Sequence, residues 1–158
     1  MITHIMKSIL PGASAEQFFE FMVDPPPEVY ANWLPDEHHK FHVVKHSETT
    51  PVGDLIYFDQ HISPRHRLRF HAIIRVADKP NKLVFQMRKL GVSLPGYLEL
   101  EFRDTLEGLL LIETVRVGFG GIGKALDPVI GIVFNKRFFE ALDGHHKREW
   151  DDLAKILE

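Results

Sequence analysis

Two hydrophobic rhythms divide this chain. From residue 41 to residue 118 apolar and polar positions alternate, and the segments 41–47, 54–62, 67–77, 82–89, 97–104 and 109–118 read as strands parted by short Pro, Gly and Asn turns. In 67–77, Leu68, Phe70, Ala72, Ile74 and Val76 share one face while Arg67, Arg69, His71 and Arg75 share the other, as in a sheet dry on one side and wet on the other. From Asp127 the period becomes helical: Gly131, Phe134, Phe138, Leu142, His145, Glu149, Leu153 and Ile156 recur at spacings of three and four. Asp127 as cap and Pro128 at the first helical position predict one helix over 127–157, roughly 45 Å long.

Ahead of the alternating region, residues 2–9 predict a first strand ending at Pro11-Gly12. Ser14 and Gln17 have capping-box spacing before a short helix carrying Phe18, Phe19, Phe21 and Met22. The run Asp24-Pro25-Pro26-Pro27 stops that helix and leaves room for a second short one bearing Tyr30 and Trp33. Short turns between successive strands imply an antiparallel meander. The expected architecture is α+β, a single domain over residues 1–158 in which a curved antiparallel sheet wraps one long C-terminal helix. Space must remain between sheet and helix unless large side chains fill it.

Composition narrows the chemistry. The 158 residues contain no cysteine, so thiolate metal sites, disulfides and cysteine nucleophiles are excluded, and any transition metal must be held by nitrogen and oxygen. A net charge of −3, with no dense lysine or arginine cluster, argues against nucleic acid as a partner. No apolar run reaches membrane-spanning length and no leader pattern opens the chain, so a cytoplasmic location is expected. Ten histidines, with His38, His39, His42 and His46 crowded together, raise the expectation of metal or proton chemistry.

Two positions of the helical stripe do not suit a core. His145 and Glu149 stand one turn apart among Phe138, Leu142, Leu153 and Ile156, and a buried carboxylate needs compensation. A divalent ion supplies it; alternatively the stripe reaches solvent at Gly144, or the two side chains bond each other. Glu113 shares its parity with Leu109, Leu111, Val115 and Val117, which predicts an inward carboxylate serving as ligand, general base, or partner of Arg88 or Arg103. The run Gly118 to Gly123 formally satisfies G-x-G-x-x-G, but no parallel strand follows it, so the glycines are read as a sharp turn rather than a dinucleotide site. His39, His42, His46, His66 and His71 lack partners at diagnostic spacing and are expected at the surface, and Trp150 is expected to pack at the sheet edge.

The element order, with the segment Ser14 to Pro35, resembles the helix-grip fold of the START and birch-pollen-allergen-like superfamily. That resemblance implies an apolar cavity suited to lipids, polyketides or other hydrophobic molecules. Within it, Tyr30-Ala31-Asn32-Trp33-Leu34-Pro35-Asp36-Glu37-His38, together with the His-x-x-x-Glu pair at 145 and 149, is similar to the diacetylphloroglucinol hydrolase family, whose zinc-dependent members cleave a carbon–carbon bond between an acyl group and an aromatic ring. The likeness implies zinc or a similar ion on His38, His145 and Glu149, with Tyr30 orienting or protonating substrate. It departs at Leu34, where the family tends to have a second histidine. A further ligand is implied from Asp59-Gln60-His61. If Ile56, Phe58 and Ile62 face inward so does Gln60, a poor zinc ligand, whereas a bulge or the other parity turns Asp59 and His61 inward, and the further ligand is expected to be His61 or Asp59.

Three functions fit these residues. One is a metal-dependent hydrolase acting on a small acylated aromatic or related ketone, in which the ion polarises the carbonyl and activates water. Another is a non-catalytic carrier or sensor of a hydrophobic molecule. The third is a metal-free cyclase or dehydratase using Tyr30, His61 or Glu113 in acid–base catalysis.

Overall fold

The computed structural model describes residues 1–119 and 121–157. Strand β1 (Ile2–Leu10) leads into helices α1 (Ala15–Val23) and α2 (Pro27–Trp33). Strands β2 (His38–Lys45), β3 (Leu55–Ser63), β4 (His66–Asp78), β5 (Lys82–Lys89), β6 (Val92–Thr105) and β7 (Gly108–Val117) follow. A 3-10 turn (Gly121–Leu126) and helices α3 (Asp127–Val133) and α4 (Lys136–Leu157) complete the order. All pairings are antiparallel, in one sheet ordered β1-β7-β6-β5-β4-β3-β2. This is the α+β helix-grip arrangement the sequence predicts.

Local chemistry explains the first helices. The Ser14 side chain accepts from the Gln17 amide while the Gln17 side chain accepts from the Ser14 amide, forming the expected capping box. Pro27 starts α2, where a missing N–H costs nothing. At Gly118, where φ is +131°, an added Cβ would lie 2.6 Å from the Met1 Cα, so the turn out of β7 requires glycine. Gly120, part of the same glycine run, lies outside the described residues.

The long helix predicted over 127–157 is two helices. Asn135 separates them: its Oδ1 accepts from the Phe138 amide at 3.2 Å, its carbonyl accepts from the Phe139 amide at 3.1 Å, and its Nδ2 donates to the Ile132 carbonyl at 2.8 Å. An asparagine that caps the next helix ends the previous one, because it cannot hold helical backbone angles and an N-cap geometry together.

Three bulges displace the predicted strand faces. In β2, His38 pairs with Gln60 and Lys40 with Asp59, so His39 is an extra residue, and His38 and Phe41 both turn inward although three positions apart. Strict alternation places them on opposite faces, which is why the pattern alone starts this strand at residue 41. In β4 a bulge at Arg75 switches parity, leaving Val76 at 39% exposure on the wet face and Ala77 against the core. Between β5 and β6, Leu94, Pro95 and Gly96 stand opposite Met87 alone, a bulge that accommodates a proline inside an interior strand; β6 therefore begins at Val92 rather than 97.

The core has two apolar parts. The larger gathers Phe18, Phe41, Ile56, Phe85, Trp150 and Leu153 under α1, α2 and the end of α4. The smaller joins Met6 and Ile62 to Phe138 and Leu142 near the start of α4. Between these two regions α4 presents His145, His146 and Glu149, a polar layer inside an otherwise apolar face.

Candidate functional site

His38, His145 and Glu149 converge. One ligand atom from each lies within 4.8 Å of the others. Glu149 Oε1 is 3.3 Å from His38 Nε2, and its Oε2 is 3.7 Å from His145 Nε2. Atoms bound tetrahedrally at zinc-like bond lengths lie about 3.3 Å apart, so both separations approach the edge of such a polyhedron. Of the alternatives the stripe left open, exposure at Gly144 fails, because His145 is 1% exposed.

Hydrogen-bond accounting favours a guest. Both ring nitrogens of His38 and Nε2 of His145 are buried without a hydrogen-bond partner. Each buried group left unpaired costs about 1–3 kcal/mol, and three together would consume much of a typical domain stability of about 5–15 kcal/mol. An ion accepting one lone pair from His38 and one from His145 relieves two of the three. The donor set, two imidazoles and a carboxylate, suits a zinc-like ion.

The surrounding residues fix these ligands. His145 Nδ1 lies 2.5 Å from Glu37 Oε2, and Glu37 Oε1 accepts from Arg148 Nη2 at 2.7 Å and Nε at 3.1 Å. A carboxylate accepts, so His145 carries its proton on Nδ1 and leaves the Nε2 lone pair facing Glu149. The His61 amide donates to the Glu37 carbonyl at 2.7 Å, tying that residue to β3. Tyr30 stacks on His38 with ring centroids 4.4 Å apart and planes 3° apart, and Trp33 meets the same ring edge-on at 4.6 Å. The Trp33 indole donates to the Glu149 carbonyl at 2.6 Å, clamping α2 onto α4.

Burial shapes the acidities. It pushes His38 down to about 4, against the opposing charge of Glu37. It pushes Glu149 up to about 7, with His145 opposing and Glu113 reinforcing. Burial, then the charges of Glu149 and Asp59, raises the Tyr30 phenol well above its ordinary value, so Tyr30 holds a proton at neutral pH.

The other expected ligands are placed elsewhere. β3 keeps regular parity through Ile56, Phe58, Gln60 and Ile62, so Gln60 faces inward and its Oε1 accepts from the Tyr30 hydroxyl at 3.1 Å. Asp59 is bound by Arg67 through two 2.8 Å hydrogen bonds, with Arg69 at 3.5 Å. The Arg67 hydrogen bonds hold its carboxyl below the usual range against the effect of burial. His61 points to His39, with ring nitrogens 2.6 Å apart. The irregularity of β3 falls at Ile62, past Asp59 and His61, and turns neither inward, while the bulge at His39 in β2 aims His38. Glu37 has no place in the sequence pattern; an acidic residue beside His38 is visible, but no spacing links residue 37 to residue 145.

Glu113 is inward and buried, as its parity predicts, but its partners are not arginines. Its Oε2 lies 2.7 Å from His146 Nδ1 and 3.1 Å from the indole nitrogen of Trp150, and Trp150 sits in the core rather than at the sheet edge.

An apolar cavity of about 60 Å³ lies between sheet and α4, lined by phenylalanines and by Gln60, Glu113 and Leu142. A second, of about 230 Å³, opens beneath α3 among Met87, Pro95, Val117 and Ile130. Phe134 lines both. Gln60 connects the first to the His38, His145 and Glu149 cluster, since it lines the cavity and bonds the tyrosine stacked on His38.

No family model matches the sequence, and no curated protein matches it. By contrast, 173 solved chains match the structure. Ginseng major latex-like protein 151 from Panax ginseng aligns with a TM-score of 0.69 at 12% identity, covering 99% of this chain and 97% of its own. The KanY protein aligns with a TM-score of 0.67 at 12% identity over the same shares, 99% and 97%. Ara h 8.0201 aligns at 0.55 and 14% identity, with 91% and 96% covered. The fold is therefore the birch-pollen-allergen-like helix grip. Among the described residues no helix is long and apolar enough to cross a membrane.

Proposed function

We propose that this helix-grip chain is a divalent-metal-dependent hydrolase that cleaves a carbon–carbon bond in a small acylated aromatic or related ketone. The observation carrying this reading is the trio of buried, unpartnered imidazole nitrogens on His38 and His145 beside the carboxylate of Glu149. A bound zinc-like ion supplies Lewis-acid polarisation of a carbonyl and activation of water near neutral pH. His38, His145 and Glu149 hold it, while Glu37 and Arg148 fix the His145 ring.

Tyr30 holds the proton that a departing aryl carbon needs, and Gln60 orients its hydroxyl toward the cavity. The phenylalanine-lined cavity receives the apolar body of the substrate. At about 60 Å³ it falls well short of the ~300 Å³ of a small-molecule pocket, so the substrate must displace Phe134 and join the cavity to the space beneath α3. A one-ring ketone is the size class this permits.

The test is elemental mass spectrometry of the purified, untagged protein and of Glu149→Ala, followed by assay of acylated phenols with and without chelator. About one ion per chain, lost in the variant, together with chelator-sensitive hydrolysis, is expected. Absence of an ion from both proteins after reconstitution would sink the proposal. A second reading, a carrier of a hydrophobic molecule, is favoured by the cavity touching none of the three ligands directly. It predicts apolar-ligand binding that is indifferent to chelators and to His38→Ala.

A further inference from the structure

One residue along α4 from His145, His146 turns toward β1, at the end of the sheet remote from β2. His146 Nε2 lies 3.0 Å from Ser8 Oγ, and its Nδ1 lies 2.7 Å from Glu113 Oε2. We propose that Ser8, His146 and Glu113 form a second reactive centre, independent of any ion, in which Ser8 accepts the acyl group of an activated carboxylic ester.

Both distances lie within the hydrogen-bond range of a nucleophile, its base and the group that orients the base. Glu113 and His146 are 5% exposed, whereas Ser8 is half-buried. The order of burial is the one such a relay needs, with the orienting carboxylate shielded and the nucleophile reachable. The Trp150 indole, 3.1 Å from Glu113 Oε2 and 2.7 Å from His146 Nδ1, can only donate. The Trp150 N–H thus lies against both His146 Nδ1 and Glu113 Oε2; when Nδ1 gives its own proton to Glu113, the Nε2 lone pair is directed at the Ser8 hydroxyl.

Ser8 and His146 open into a surface groove of about 360 Å³ between β1 and α4, flanked by Lys7, Lys147, Asp143 and Asp151. β1 ends the sheet, so alternate peptide N–H groups of this strand face away from β7. Those amides and the Lys7 ammonium are candidate donors for a developing oxyanion, while Lys147 is paired with Asp151 at 3.6 Å.

In the reaction Ser8 Oγ bonds to the ester carbonyl carbon as its proton passes to His146 Nε2. The ester C–O bond then breaks, and the leaving alcohol or phenol takes that proton. Water attacks the acyl-serine by the same transfer, releasing the carboxylic acid and restoring Ser8. Ser8 is the nucleophile, His146 the base, and Glu113 the positioning residue that fixes the tautomer.

The test uses the full chain in excess chelator, so that it stands or falls apart from the ion site. A fluorophosphonate probe is expected to add once, at Ser8, about 100-fold faster than in His146→Gln, and not at all in Ser8→Ala. Addition elsewhere, an equal rate in His146→Gln, or no addition would overturn the proposal. A second measurement holds if His146→Gln folds poorly. The chain has no cysteine, so Ser8→Cys introduces a single thiol that iodoacetamide reads cleanly. Its alkylation at neutral pH should exceed by about tenfold that of a free thiol of pKa ~8.5, and adding Glu113→Gln should return the pH profile to that value. A profile unchanged by Glu113→Gln would count against the relay.

Discussion

At the scale of single residues, Glu149 carries the tension of the site. Its native pKa of about 7 exceeds the ordinary 4.5, so between those values the native state binds the extra proton. The stability this contributes is complete below pH 4.5 and is lost as pH rises through 7. In chelator, Glu149→Gln should therefore match the parent near pH 4 and exceed it by about 3 kcal/mol at pH 8, as read by urea unfolding. His38, depressed from 6.5 to about 4, contributes in the opposite sense: its stabilisation is present above pH 6.5 and is lost as pH falls through 4. Glu37 acts one step out. Glu37→Gln keeps the size of the side chain but weakens its hold on the His145 ring, and should reduce zinc affinity about 10–100-fold in a competition assay with a chromophoric chelator.

At the scale of elements, two irregularities build the site. The β2 bulge turns His38 and Phe41 inward together, so one side chain faces Glu149 while the other packs in the main core. Asn135 sets where α4 begins, and hence which residues of its inner face meet the polar layer. Asn135→Ala removes the side-chain acceptor of the Phe138 amide and should lower stability by about 1 kcal/mol in urea unfolding. Sequence pattern alone read through both features. A helical stripe continues in phase across Phe134 and Phe138 whether or not the backbone is capped between them. A bulge adds a residue without any composition signal, so the alternation that located β3 correctly started β2 late.

At the scale of the whole molecule, the proposed ion site joins β2 to α4, with α2 packed against it through Tyr30 and Trp33, and binding there should stabilise the entire fold. Zinc at about a hundredfold above its dissociation constant adds about 2.7 kcal/mol to a protein that binds it only when folded. That corresponds to a rise of roughly 5–10 °C in Tm for a chain of this size. The rise should be visible by calorimetry in the parent and absent in His145→Ala. Cavity size is likewise a global property. Phe134→Ala removes one of the two side chains, with Met87, that line both apolar spaces and should increase fluorescence of an apolar dye at equal protein concentration. An unchanged signal would indicate that the two spaces stay separate.

The sequence determined whatever depends on local period and short spacing: the antiparallel meander, the capping box at Ser14, the inward parity of Glu113, and the His145 and Glu149 pair one helical turn apart. Neighbours along a chain fix those features, because side-chain direction follows backbone repeat. Tertiary structure alone decided the rest. It brought Glu37 to His145 and Arg148 across more than a hundred residues, and it gave Asp59 to Arg67 and Arg69. It also set His146 between Ser8 and Glu113. Each of these pairings depends on which strands lie beside α4 and how far each bulge rotates a side chain, and no one-dimensional spacing carries that information.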